Sequence, residues 1–445
     1  MRQSDNSPMF NPVLTRFMHL DNSHTLNVYR SVGGYAALEK VLKTKTPGDV
    51  IEEIKASNLR GRGGAGFPTG IKWEFVPKDP LKPKYLISNA DESEPGTFKD
   101  RLILNKAPHM MLEGMIIASY AIDCHQAFIY IREEFYQEYK TLENMVKEVY
   151  HANLLGHNIL ASNYQLDVVI HRGAGAYICG EETALLDSLE GRRGWPRFRP
   201  PYPAIEGYLK CPTVVQNVET LACLPEIMNR GADWFKSIGP EKGPGPKLFC
   251  LSGHINNPGV YEAPMGIPLT ELIYNYGEGI RNKRKLKAVL PGGVSSVVLT
   301  ADEVEGLNMD FDSLAAKRTI LGSAGIIVMD DTVDMVNACL NIARFFAHES
   351  CGQCTPCREG TVWLVKILTR LIHKEGRRRD IDLLLDITEN IGGLSDLSKG
   401  SFGKTICPFG EAVAWPVRSF VEKFEEEFFA CISDNKTIYK AAVIS

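Results

Sequence analysis

Cys351, Cys354 and Cys357 stand at two-residue intervals in Glu349-Ser-Cys-Gly-Gln-Cys-Thr-Pro-Cys-Arg-Glu-Gly360, on a loop broken by glycine and proline. Three thiolates so spaced can converge on one centre, with a further ligand from elsewhere in the chain. Clusters of the 4Fe-4S kind are commonly held by such a run plus one distant cysteine before proline, and Cys407-Pro408 fits. The fold must then bring the two segments together. Structural zinc also takes four thiolates, but usually from two separated C-x-x-C pairs, and unliganded thiols are the remaining reading. A redox cluster also requires a source of electrons.

The 445 residues suffice for two or three domains, each with its own core. With 44% hydrophobic and 23% charged residues the composition is that of ordinary globular material. A net charge of -4 supplies no basic field for nucleic acid or an anionic membrane. The longest mainly apolar run, residues 110–122, is interrupted by Glu113 and too short to span a bilayer, so membrane association is expected only through partner proteins. Residues 1–30 show neither a secretory signal nor a transit peptide. Eleven cysteines, an odd number, suit free thiols and a metal centre in a reducing setting.

An amphipathic pattern over residues 49–59 predicts a short helix. It runs into Gly61-Arg62-Gly63-Gly64-Ala65-Gly66-Phe67-Pro68-Thr69-Gly70-Ile71-Lys72-Trp73, with five glycines in ten residues. Gly61, Gly63 and Gly66 match G-x-G-x-x-G, but that motif marks a dinucleotide site only after a strand, and the Walker pattern fails at Lys72. What remains is backbone without side chains, open to a flat or phosphorylated ligand, with Arg62 and Lys72 as anion partners. A surface linker is the competing reading. Phe67, Trp73 and Phe75 weigh against it, since they could flank an adenine ring or fill core.

A strand predicted at 84–88 ends in Asn89-Ala90-Asp91-Glu92-Ser93-Glu94-Pro95-Gly96, where open α/β sheets place ligands. These carboxylates would repel phosphate but accept hydrogen bonds from ribose or ribityl hydroxyls. Calcium and a solvated acidic turn are the alternatives. Helix and strand patterns then alternate (110–121, 127–131, 137–152, 165–170), which implies parallel βαβ units in a three-layer α/β fold. A second glycine loop, residues 173–183, opens a helix reaching residue 189. Its amides favour an anion, while Glu181 and Glu182 compete for the same positive end. The proline-rich residues 195–203 must be extended, as a recognition peptide or as a wall over a cleft. Asn217 is an N-cap or ligand donor ahead of a helix to residue 228.

Glycine and proline crowd residues 239–246, and the chain divides there into domains 1–240, 241–334 and 335–445. The middle one reads as a strand (247–252), a turn (256–259), a partner strand (260–261) and a helix (269–276). Amphipathic segments at 335–347, 361–372, 381–391 and 412–429 read as a helix bundle carrying the cysteine loop.

In this order, Gly61 through Gly70, Asn89-Ala-Asp-Glu92, Gly180-Glu-Glu-Thr183, Asn217-Val-Glu-Thr220 and Glu349 through Arg358 resemble the NADH-binding flavoprotein subunits of respiratory complex I, from about residue 35 to 427. The module is also similar to the diaphorase subunits of NAD-linked hydrogenases and formate dehydrogenases. The resemblance implies a Rossmann-like three-layer domain with FMN between the glycine loops and NADH stacked above it. A small ubiquitin-like α+β domain and a C-terminal helix bundle with a 4Fe-4S cluster would follow. By this resemblance Gly61, Arg62, Gly63, Lys72, Asn89, Asp91, Glu92, Gly180, Glu181 and Asn217 line the FMN site. Gly64, Ala65, Gly66, Pro68, Thr69, Gly70, Gln216 and Thr220 complete the cofactor-binding loops. Phe67, Phe75, Glu94, Tyr177, Glu182 and Tyr202 approach NADH, and Cys351, Cys354, Cys357 and Cys407 ligate the cluster. Glu92 and Glu182, as negative groups near the nicotinamide, would help release oxidised NAD.

The family usually has asparagine where this chain has Gln216 and phenylalanine where it has Tyr202, and residues 392–403 look like an extra surface loop. The resemblance implies partner subunits of a peripheral arm, notably a thioredoxin-like 2Fe-2S protein and a large iron-sulfur protein, passing electrons towards quinone. The setting it implies is the cytoplasmic side of a bacterial inner membrane, or the matrix side in mitochondria. Lack of further cluster motifs favours the complex I type over the hydrogenase type. A zinc-stapled adaptor that binds a nucleotide without turnover is the reading from another class, and it predicts a colourless protein.

Overall fold

The computed structural model describes residues 10–78, 81–392 and 404–433; the extra loop expected at 392–403 lies, from residue 393 on, outside the described residues. The chain divides into two compact units, Met1–Asp331 and Thr332–Ser445.

In the first unit, β1 (Tyr85–Ala90), β2 (Gln126–Ile131), β3 (Asp167–Arg172) and β4 (Thr213–Asn217) form a parallel sheet in the order β3-β2-β1-β4. β1 and β2 are buried almost throughout, as expected of parallel strands covered on both faces by helices. The helix Pro108–Ala121 is apolar nearly all round and is accordingly buried. Gly114 lets it approach the helix Val218–Arg230: a Cβ there would lie 1.9 Å from the Leu221 carbonyl oxygen. The chain runs from β1 outward to β3 and returns on the other side of β1 as β4. The strand order therefore reverses between β1 and β4, the position where such sheets open a ligand crevice. Asn89 and Asn217 are register partners at those two carboxyl ends. The strand expected to stop at residue 88 runs on through Asn89 and Ala90, because pairing to β2 and β4 continues there.

A second sheet follows from β5 (Pro246–Gly253), β6 (Gly259–Pro264), β7 (Leu286–Leu290), β8 (Leu299–Thr300) and β9 (Gly325–Asp330), in the order β6-β5-β9-β7-β8. β5 pairs parallel with β9 and the other pairs are antiparallel, the arrangement of a ubiquitin-like sheet. Phe249, Leu272, Val289 and Ile326 belong to its own buried core. The helix expected at 269–276 is a short turn, Leu269–Glu271, that widens into π-helical turns over Leu272–Tyr276.

The second unit is helical: Met335–Glu349, Thr355–Ile372, Arg378–Ile391, Phe409–Lys423 and Glu425–Phe429. Two of these helices differ in extent from their sequence pattern. The second helix begins at Thr355 rather than 361, because Pro356 is well suited to a first turn, and this draws Cys357 out of the loop and onto the helix. The segment expected as one helix over 412–429 starts at Phe409 and breaks at Phe424. Among the described residues no helix is long and apolar enough to cross a membrane.

Candidate functional site

The first glycine loop closes on itself. The Gly61 amide donates to the Phe67 carbonyl at 2.9 Å, the Thr69 amide to Leu59 at 2.9 Å, and Arg60 Nε to the Gly66 carbonyl at 2.7 Å. Its tip rests on the start of the helix Val218–Arg230: the Arg62 amide donates to Thr220 Oγ1 at 2.8 Å, and a Cβ at Gly63 would come within 3.0 Å of Asn217 Cβ. Gly66, at φ +63, has no room for a Cβ, which would lie 2.4 Å from the Phe311 ring. The aromatic residues divide. Trp73 is core, whereas Phe67 and Phe75 are 48% and 54% exposed with centroids 6.3 Å apart, and Tyr202 is 55% exposed. Exposed rings beside a side-chain-free loop suit stacking on a flat ligand.

Neither cation offered for an anion stands open. The Arg62 guanidinium is fully buried, donates to the Pro244 carbonyl at 2.6 Å, and its pKa is lowered by that burial. Lys72 Nζ donates to Glu182 Oε2 at 2.8 Å and to the Val215 carbonyl at 2.9 Å. Burial pushes Glu182 up, yet Lys72 and Arg199 together hold it below the ordinary carboxylate range. Glu181 takes the positive end of the helix Glu182–Leu189, as expected: it is the cap, accepting from the Thr183 and Ala184 amides, both at 2.9 Å, while Glu182 turns to Lys72 and Arg199.

The acidic loop after β1 meets the second glycine loop. Asn89 Nδ2 donates to the Gly180 carbonyl at 2.9 Å, and a Cβ at Gly180 would lie 3.3 Å from the Asp91 carbonyl. Glu92 and Glu94 are committed to separate donors, which speaks against the calcium reading. Both Glu92 oxygens accept amides at the start of the helix Lys99–Lys106, from Asp100 at 2.8 Å and Arg101 at 3.0 Å. Burial, with Asp100 beside it, raises Glu92 to about 7. Glu94 accepts from the Tyr177 hydroxyl at 2.7 Å. The proline-rich segment is an ordered wall: the Arg197 amide donates to Thr183 Oγ1 at 2.9 Å, and Arg199 faces Glu181 and Glu182.

Behind Asn217 lies a buried ionic network that the sequence alone does not announce. Lys99 Nζ stands 2.8 Å from Asp100 and 2.9 Å from Glu219, and Lys247 Nζ stands 2.6 Å from Glu219, all four side chains at 5% exposure or less. Asn217 Nδ2 donates to Asp100 at 2.6 Å while its Oδ1 caps the helix through the Glu219 amide at 3.0 Å. Burial works against the Glu219 carboxylate, but Lys247 and Lys99 pull it down to about 2, and burial brings Lys247 down to about 8. Next to Asn217, the Gln216 amide nitrogen is buried with no hydrogen-bond partner among the described residues. An orphaned donor at the reversal point of the sheet fits a polar ligand there.

In the second unit one cavity is lined by Cys351, Cys354, Cys357 and Cys407, together with Ser350, Gln353, Thr405 and Phe409. Cys354 is the N-cap of the helix Thr355–Ile372, Cys357 lies in its first turn, and Cys407 precedes the helix Phe409–Lys423. Burial pushes the Cys357 thiol up to about 12, with Cys354 and Cys351 adding to the rise. Among the described residues no group of His, Cys, Asp or Glu is drawn together as a single-ion site. Four thiols lining one cavity supply the ligand set of a 4Fe-4S cluster, as the spacing in the sequence anticipates.

Three families match in chain order: "Nuo51 FMN-binding domain" over residues 54–226, "SLBB domain" over 247–328, and "NADH-ubiquinone oxidoreductase-F iron-sulfur binding region" over 337–431. Among curated relatives, an NADH-quinone oxidoreductase subunit of Rhizobium meliloti is 50% identical over 96% of this chain and 99% of its own length. The corresponding NADH-quinone oxidoreductase subunits of Rickettsia bellii and Streptomyces coelicolor are 47% identical over 92% and 96%, and 48% identical over 96% and 92%, respectively. Among solved structures, an NAD+-reducing [NiFe]-hydrogenase in the H2-reduced state superposes with a TM-score of 0.80 at 35% identity, covering 92% of this chain and 67% of that one. An air-oxidised structure of such a hydrogenase gives 0.78 at 34%, over 96% and 68%.

Proposed function

The chain belongs to the family of NADH-quinone oxidoreductase flavoprotein subunits, and from that premise we propose which of its residues do the work of electron entry. When bound, FMN supplies hydride acceptance from NADH and one-electron release, and a 4Fe-4S cluster supplies one-electron transfer onward.

The glycine loop 61–70 and the Asn89–Gly180 clasp frame the flavin at the reversal between β1 and β4, with the Gln216 amide as a donor still unsatisfied. Phe67, Phe75 and Tyr202 present exposed rings to the dinucleotide. Glu182 keeps Lys72 and Arg199 paired, which weakens their pull on its phosphates and so favours release of the oxidised product. Glu92, engaged at both oxygens by helix amides, acts by positioning that helix. Cys351, Cys354, Cys357 and Cys407 hold the cluster. The module division 1–240, 241–334 and 335–445 is supported by the three matched families.

On this reading the partners are the thioredoxin-like 2Fe-2S protein and the large iron-sulfur protein of a peripheral arm, on the cytoplasmic side of the membrane. A hydrogenase diaphorase is the second reading, favoured by the structural neighbours, and co-purifying proteins distinguish it. The observation that carries the proposal is the four cysteines around one cavity in the chain that also holds the glycine-lined crevice. Flavin, iron and zinc analysis of the purified protein, with ferricyanide reduction by NADH, tests it. FMN with iron and NADH-dependent turnover is expected; a colourless zinc protein without turnover contradicts it.

A further inference from the structure

Glu94 sits in a socket built by the second sheet. Its Oε1 accepts from the Ser295 amide at 2.9 Å and from the Ser295 hydroxyl at 2.8 Å. Ser295 lies on the loop Pro291-Gly292-Gly293-Val294-Ser295-Ser296 between β7 and β8. Gly293 is at φ +94, and a Cβ there would stand 2.4 Å from Glu94 Oε1, so glycine is what lets this loop close on the carboxylate. The loop is itself pinned, by the Gly293 amide on the Gly325 carbonyl at 2.7 Å and by Ser296 Oγ on the Gly293 carbonyl at 2.7 Å. The backbone that carries Glu94 is seated in the same socket. Thr97 Oγ1 lies 2.5 Å from Ser323 Oγ, and a Cβ at Gly96 would fall 2.9 Å from Ile327 Cγ1.

Donors from the loop, the Ser295 amide and hydroxyl with the Val294 amide beside them, hold one side of the Glu94 carboxylate, while Oε2 accepts the Tyr177 hydroxyl; a carboxylate offers about four lone-pair sites in all. We infer that Ser295, from the second sheet, is a positioning residue for dinucleotide recognition: it holds the Glu94 carboxylate so that Oε2 faces a ribose hydroxyl. This rests on the reading of Glu94 as an NADH contact. The second sheet thus takes part in substrate binding.

The test uses the FMN-loaded full chain with Ser295→Ala, Ser295→Thr and Glu94→Gln. ADP-ribose affinity is measured by calorimetry, and NADH KM and kcat with ferricyanide. Ser295→Ala is expected to weaken ADP-ribose roughly three- to tenfold and to raise KM by a similar factor with kcat little moved, as for loss of one ordinary hydrogen bond, the Ser295 amide still holding the carboxylate. Ser295→Thr, which keeps the hydroxyl, should restore both. Unchanged affinity in Ser295→Ala beside a clear loss in Glu94→Gln overturns the inference and leaves the reading of Glu94 standing. Unchanged affinity in Glu94→Gln overturns that reading itself. FMN loss in step with affinity in Ser295→Ala would mark a general folding role and also overturn the inference.

Discussion

The crevice in the first unit and the cysteine cavity in the second are built on opposite terms. Around the crevice most polar groups already have partners: Lys72 holds Glu182, Asn89 holds Gly180, and Asn217 is braced by Asp100 and Glu219. Around the cavity four thiols line one space, and Cys357, with the Ser350 hydroxyl beside it at 3.2 Å, is raised by burial first and by Cys354 and Cys351 next. The first site is shaped by the protein and receives its ligand; the second is completed by what it binds, as metal sites coupled to folding generally are.

The largest effect expected from that difference is on the cavity. Cys407→Ser should abolish the cluster, read as loss of iron and of its low-temperature EPR signal, while FMN stays bound. Lys247→Met attacks the brace of the crevice. Removing one partner of a buried pair costs roughly 3–5 kcal/mol, so a lower midpoint of thermal unfolding is expected together with weakened FMN retention. Retention of FMN at unchanged stability would show the network to be dispensable.

Glu92→Gln addresses pH. The folded carboxyl is raised from 4.5 to about 7, so its stabilising contribution is complete below about 4.5 and is lost as pH rises through 7. Denaturant unfolding at pH 5 and pH 8 should show the native chain losing on the order of 2–3 kcal/mol more than the variant over that window. Glu182→Gln frees Lys72 and Arg199, and NAD+ affinity by equilibrium titration should tighten roughly threefold or more, in keeping with charge-assisted pairing. The smallest change is expected from Tyr202→Phe, which preserves the stacking ring: NADH KM should move by less than about twofold.

Much of the fold and the site is legible from local pattern. Parallel strands declare themselves by buried β-branched runs, glycine loops by composition, and the cysteine set by spacing. What escapes is contact between residues far apart in sequence. Glu219 with Lys247, Lys99 with Glu219, and Glu94 with Ser295 carry no local signal, although the Gly292-Gly293 pair before Ser295 marks a loop needing positive φ. Arg62 and Lys72 are cations near the crevice, as their place in the glycine loop suggests, but burial of the first and pairing of the second depend on Pro244 and Glu182, which only the fold brings near. The split between Trp73 in the core and Phe75 outside it likewise follows from which face of the short helix Thr69–Glu74 packs inward, while Phe67 stands outside on the loop before it.

The most direct test of a chain with two separately built sites in series is anaerobic mixing of NADH with the native protein and with Cys407→Ser, following flavin absorbance and cluster EPR together. Flavin bleaching is expected in both and a reduced-cluster signal in the native protein alone. Failure of the flavin to bleach in Cys407→Ser despite full FMN content would contradict that separation of the two sites.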